Sequence, residues 1–161
     1  MSMEMSEAES YVLFELAGAT YALPSRQIQQ LDMVGTPTPV PNAPAFVDGV
    51  VSVRGRVIPA VSLRARFGFP RVAYDVRSRL VIVREHTRTV GLIVDSAREF
   101  ATIAPESIKP LPEGIGGTSG RYLRGIAQQG ERLLLIVDVH ELLETDEQPK
   151  DTVPAEAGTL M

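Results

Sequence analysis

Two apolar, β-branched runs, Val50-Val51-Ser52-Val53 and Val57-Ile58-Pro59-Ala60-Val61, stand on either side of Arg54-Gly55-Arg56. That pattern demands two strands joined by a cationic turn. Gly55 permits a tight turn and a close backbone approach. A short loop on a stiff β scaffold holds a guanidinium at fixed geometry, as bidentate recognition of a carboxylate requires. The alternative for Arg54 and Arg56 is a pair of solvated turn cations. The segment is therefore read as a surface that docks onto another protein, not as a place where bonds are made and broken.

The same punctuation runs through most of the chain. Residues 11–16 and 20–23, separated by Gly18, predict a hairpin. Ser25 is expected to cap a helical turn through Ile28 and Leu31. Pro37, Pro39, Pro41 and Pro44 make residues 36–44 an extended connector. Residues 62–67 read as one helical turn stopped at Gly68 and Pro70. A second hairpin, 80–84 with 89–95, turns at His86-Thr87, and residues 97–103 continue as a half-exposed strand. After a turn at 104–108 and a loop at 110–120, a third hairpin pairs 123–128 with 132–137 across Gln129-Gly130-Glu131. Asp138 then caps a short helix at 140–143. Many short strands without a long helical pattern predict small barrels or a sandwich.

Two internal echoes are present. Leu92-Ile93-Val94-Asp95 recurs as Leu135-Ile136-Val137-Asp138. Separately, residues 57–67 and 133–143 both run strand, polar cap, short helix. Two similar sub-barrels would produce such echoes, although tetrapeptides of common β residues also recur by chance.

A chain of 161 residues is expected to form one domain with a real core. The division expected is a flexible N-terminus at 1–9, a folded domain at 10–145 and a disordered polar tail at 146–161. A net charge of −4 argues against sequence-independent nucleic-acid binding. Cysteine is absent, which excludes disulfides and thiolate sites. No apolar run approaches the ~20 residues of a membrane helix, so no direct membrane insertion is expected. Glu4, Glu7 and Glu9 make the N-terminus unlike a secretory signal, and a cytoplasmic location is the default.

Catalytic chemistry finds little support. With no cysteine and no histidine pair at ligand spacing, His86 and His140 read as separate surface residues, and no metal or cofactor is expected. Asp95 and Asp138 each end a "LIVD" strand like the phospho-acceptor of a receiver domain. That fold needs βα alternation, though, and each strand here follows a hairpin partner. Asp138 is read as an N-cap and Asp95 as a strand-end turn residue. The glycine-rich stretch with Gly114, Gly116, Gly117 and Gly120 lacks phosphate-loop spacing. Ser52 and Ser62 lack a nucleophile context.

Between Tyr11 and Leu143 the chain resembles the CheW-like family, adaptors of bacterial chemosensory systems. The likeness rests on Tyr11-Val12-Leu13-Phe14, Pro41-Asn42-Ala43-Pro44-Ala45-Phe46, Gly49-Val50 leading to Arg54-Gly55, and Leu63-Arg64-Ala65-Arg66-Phe67-Gly68. Val90-Gly91-Leu92-Ile93-Val94-Asp95 and Leu134-Leu135-Ile136-Val137-Asp138 complete it, in the family's order. The resemblance implies a mainly β fold of two intertwined five-stranded SH3-like barrels with short helices and a shared core. It implies a non-enzymatic scaffold linking the cytoplasmic tip of a methyl-accepting chemoreceptor to the regulatory domain of a CheA-like histidine kinase, with other CheW-like domains as further partners. Such adaptors work in the cytoplasm, at receptor arrays on the inner membrane, and the output is flagellar, gliding or pilus-driven motility.

Carried onto this chain, the resemblance assigns partner binding to Arg54, Gly55, Arg56, Ile28, Gln30, Ala97 and Phe100. Arg54 matches the arginine of the family's "LRG" motif, with Val53 where relatives often carry leucine. Gln30 stands where the family commonly has a glutamate, so it offers Arg54 only a neutral hydrogen bond. Without a nucleotide-binding module or a receiver after Leu143, the CheA and CheV architectures are not expected. An alternative is a small β-barrel ligand-binding protein or enzyme using the 114–120 loop, and a third is a decoy that caps receptor arrays without touching a kinase.

Overall fold

The computed structural model describes residues 8–115 and 117–145. One five-stranded sheet takes β1 (Glu9–Leu16), β2 (Ala19–Pro24), β8 (Ser96–Ile103), β9 (Leu123–Gln129) and β10 (Arg132–Val137), in the order β8-β1-β2-β10-β9. The other takes β3 (Ile28–Met33), β4 (Val47–Val53), β5 (Arg56–Ser62), β6 (Arg79–Glu85) and β7 (Arg88–Val94), in the order β3-β6-β7-β5-β4. The first sheet draws strands from both ends of the chain (the split half), and the second is one run (the continuous half). Helix α1 (Leu63–Arg66) follows β5, and α2 (Val139–Thr145) follows β10. Among the described residues no helix is long and apolar enough to cross a membrane. The tail expected from residue 146 lies outside the described residues, and β1 begins at Glu9, inside the segment expected to be flexible.

The two halves are one pattern built twice. β10 lies parallel to β2 in one, and β5 parallel to β7 in the other. Each half carries a bulged strand at one edge, beside the β1–β2 hairpin in the split half and the β6–β7 hairpin in the continuous half. Leu13 faces both Ala22 and Glu99, just as Ile82 faces both Gly91 and Gln30. Ser62 N donates to Phe46 O at 2.8 Å, and Asp138 N donates to Tyr122 O at 2.8 Å. The echo between 57–67 and 133–143 is therefore structural. The "LIVD" echo is not, because residues 92–95 close β7 while 135–138 close β10, whose counterpart is β5. Even the close approaches repeat. A Cβ on Gly49 would stand 2.1 Å from Thr38 O, and one on Gly125 would stand 2.3 Å from Lys109 O. Each glycine adjoins an isolated bridge, Thr38 with Val50 and Lys109 with Ile126, so the proline-rich connector is pinned to β4.

Alternation along the strands gives each sheet two apolar faces. One face of the split half buries Tyr11, Leu13, Leu134 and Ile136 among its own strands, and the continuous half does likewise with Ile58, Leu80, Ile82 and Ile93. The opposite faces meet in a common core containing Phe14, Tyr21, Leu63, Phe67, Val81, Leu92, Tyr122 and Leu142. Each large apolar side chain buried there contributes roughly 1.5–3 kcal/mol. A row of rings crosses this core: Phe14 stacks on Tyr21 (5.4 Å), Tyr21 tilts against Phe67 (5.6 Å), and Phe67 stacks on Tyr122 (5.6 Å). Arg66 lies 4.2 Å from the Phe46 ring and 5.0 Å from the Tyr122 ring, so one guanidinium packs on both equivalent aromatics.

A polar strut reinforces the junction. Arg64 grips Asp95 through Nε to Oδ1 (3.0 Å) and Nη2 to Oδ2 (2.8 Å), while Ala17 N in the β1–β2 turn donates to the same carboxylate at 3.0 Å. Asp95, expected as a plain turn residue, thus ties the two halves together. Burial acts to raise its pKa, but the bonds from Arg64 and Ala17 outweigh it and hold the carboxyl below its ordinary value.

The expected hairpins and strands are present, as are the caps at Ser62 and Asp138. Ser62 Oγ accepts from Ala65 N and Asp138 Oδ1 accepts from Glu141 N. Two expectations need correction. Residues 25–27 form a 3-10 turn without a side-chain cap, and Ile28 and Leu31 belong to strand β3, not to a helical turn. Pairing with β6 overrides the local helical spacing. The loop at 110–120 also ends in a 3-10 segment, Gly117–Tyr122.

Candidate functional site

Arg54 and Gly55 form the two-residue tip of the β4–β5 hairpin, because Val53 pairs directly with Arg56. Both have positive φ, 51° for Arg54 and 79° for Gly55, the signature of a type I′ turn whose twist matches the strands. Asn-Gly is the low-strain choice there, and an arginine in the left-handed region costs about 1 kcal/mol or more. The fold accepts that cost and in return points a guanidinium from the end of a rigid ribbon.

The tip stands over a cavity of about 260 Å³ lined by Gln29, Gln30, Val53, Arg54, Arg56, Ile58, Ile82 and Thr89. Its lining mixes apolar Val53, Ile58 and Ile82 with polar Gln29, Gln30 and Thr89 and two cations. Thr89 Oγ1 is buried there with no hydrogen-bond partner among the described residues, an unusual state for a buried hydroxyl. Gln30 Nε2 donates to Asp32 Oδ2 at 3.2 Å, so its amide turns along its own strand. No described side chain pairs with Arg54 or Arg56.

The structure brings Arg54, Gly55, Arg56 and Gln30 to one place. Ile28, on the same β3 strand as Gln30, is half-buried against the common core. The other two expected residues lie on β8 of the split half. Ala97 is only 6 % exposed and belongs to the core, whereas Phe100 is 68 % exposed. The bulge in β8 between Ala97 and Glu99 brings the two onto one face, opposite Phe14 and Val12, and only Ala97 packs into the common core. The sequence reading missed Thr89, Ile82 and Gln29, which come from strands whose pairing only the fold specifies. Val57, next to Arg56 on β5 and 69 % exposed, is an apolar side chain on the opposite face of the strand and does not line the cavity.

Comparison with known proteins agrees with this architecture. Residues 10–147 match the family model described as "CheW-like domain". The chain is 30% identical over 139 residues to a chemotaxis protein CheW from Klebsiella aerogenes, covering 86% of this chain and 84% of that protein. It is 30% identical over 157 residues to the chemotaxis protein CheW of Bacillus subtilis, covering 98% of this chain and all of that protein. Among solved structures, the scaffolding protein TtCheW from Thermoanaerobacter tengcongensis superposes with a TM-score of 0.78 at 30% identity, over 85% of this chain and 93% of that one. The chain belongs to the CheW-like domain family, the adaptor scaffolds of chemosensory pathways.

Proposed function

We propose that this adaptor is a non-enzymatic cytoplasmic coupler that holds the tip of a methyl-accepting chemoreceptor against the regulatory domain of a CheA-like kinase. Its Arg54 pocket is one docking point and takes a carboxylate from the partner. The observation that carries this reading is the two arginines, Arg54 and Arg56, without a partner among the described residues at the mouth of an open cavity. An exposed cation gains little from isolated solvation. Two guanidinium-bearing residues lining one cavity beside Val53, Ile58 and Ile82 suit a partner carboxylate flanked by apolar groups. Gln30 supports the same reading, because it leaves the cations free for an outside anion. Gly55 serves by permitting the turn, and Ile28 and Ala97 support the surface from the core side.

Co-sedimentation with receptor-tip fragments and a kinase regulatory domain tests this, comparing the wild type with Arg54→Glu. Charge reversal is expected to weaken at least one contact by roughly tenfold or more, the scale of losing a charge-assisted pair, while thermal unfolding stays close to wild type. Unchanged binding to both partners would remove Arg54 from the interface. Failure of the wild type to bind its cognate receptor and kinase would overturn the coupling role itself.

A further inference from the structure

The β6–β7 turn and helix α2 belong to opposite halves, yet they meet. His140 Nδ1 lies 2.9 Å from Glu85 Oε2. One ligand atom from each of Glu85, His86 and His140 lies within 4.8 Å of the others. We propose that these three residues form a site for a divalent transition-metal ion of the zinc type, which staples α2 of the split half to the β6–β7 turn of the continuous half.

The donor set carries the argument. Two imidazoles and one carboxylate are a composition that zinc takes at about 2.0–2.2 Å from each donor, and a tetrahedron of that size separates donors by roughly 3.3–3.5 Å. One separation is 2.9 Å and none exceeds 4.8 Å, so the three donors reach that span by side-chain rotation. Glu85 is the fixed member, its side chain only 16% exposed, while His140 is half open to solvent. A His–Glu ion pair would account for two of these residues but not for the second imidazole. Asp138 and Glu144 stand close enough to His140 to add negative potential, which favours any cation there. Three protein donors leave a fourth position for water. Calcium and magnesium prefer all-oxygen shells and do not suit this set.

The test uses the tag-free full chain, stripped of metal and titrated with zinc sulfate by calorimetry, with the histidine rings followed by NMR. Saturable one-to-one binding is expected, with both histidine rings shifting together. At a hundredfold excess over Kd the Tm should rise by roughly 5–10 °C. His86→Ala, His140→Ala and Glu85→Gln should each weaken binding by roughly tenfold or more, the double histidine variant should abolish it, and magnesium at equal concentration should do nothing. Absence of saturable binding, rings that do not move in the wild-type protein, or full binding by the double variant would each overturn the proposal. The ring shifts need no substitution, so the outcome does not depend on how well a variant folds.

Discussion

In the split half, Arg132 reaches Glu99 at 2.8 Å. The depression around them, lined also by Leu13, Thr20 and Arg98, encloses only about 50 Å³. In the continuous half the same positions hold Arg56 and Gln30, with Ile82, Thr89 and Gln29 in place of Leu13, Thr20 and Arg98, and the cavity measures about 260 Å³. The registers make this correspondence residue by residue. Arg132 faces Gln129 as Arg56 faces Val53, and Glu99 faces Leu13 as Gln30 faces Ile82. One half satisfies its arginine internally and the other leaves it for something outside. The exchange that bears on this arginine is Glu99 for Gln30, a carboxylate for an amide, and the tip of the open half adds Arg54. A duplicated unit can thus keep one copy closed and leave the other open, here as the proposed docking surface, without altering the shared core.

The comparison breaks most readily at its glycines. Gly49→Ala and Gly125→Ala each force a Cβ against a backbone carbonyl. Each should lower stability in urea unfolding by about 3 kcal/mol, the upper end of overpacking costs. Gly49→Ala should be the worse of the two, because its φ of 147° is costly for any residue with a Cβ. A harmless Gly125→Ala would show that the halves do not share this close approach.

The junction between the halves is the next test. Arg64→Ala should cost about 2 kcal/mol at neutral pH, since it removes a bidentate, partly buried pair. Because the Asp95 pKa is depressed in the folded protein, its contribution is complete above the unfolded value of about 3.9 and fades as the pH falls through the lower folded value. Unfolding free energies of wild type and Asp95→Asn, followed from pH 7 downward, should therefore converge below about pH 4. A gap that stays constant to the lowest pH would mean that the strut contributes nothing through its charge.

The turn itself offers a smaller and opposite effect. Arg54→Asn places a residue suited to the left-handed tip and should raise stability by about 0.5–1 kcal/mol while weakening partner binding in co-sedimentation. A gain in stability with unchanged binding would mark Arg54 as surface decoration. The subtlest test swaps the two pockets. Gln30→Glu should close the open cavity and weaken docking several-fold, and Glu99→Gln should leave docking untouched. Each should change stability by less than about 1 kcal/mol, the scale of an exposed pair. Equal effects of both swaps on binding would erase the distinction between the halves.

Much of this was legible from local pattern. The hairpins at 11–23, 50–61, 80–95 and 123–137 follow from alternation and, except at His86-Thr87, from glycine at the turns, because both signals depend on neighbours in the chain. The caps at Ser62 and Asp138 are readable for the same reason. Strand β3 was not. Ile28 and Leu31 sit at helical spacing, and only β6, roughly fifty residues later, makes them a strand. The burial of Ala97 was not legible either, because a strand pattern does not say which part of a face the other half covers. Asp95 gave no sign of Arg64, and His86 gave none of His140, because contacts between the halves leave no period in the sequence.

The sequence by itself determined the β character, the cationic tip and the family resemblance, since each is written in short-range spacing and residue type. The tertiary structure alone decided which arginine is satisfied and which is left open. That choice depends on a residue from a strand distant in the chain, Glu99 in one half and Gln30 in the other, brought opposite the hairpin when the sheet closes around its core.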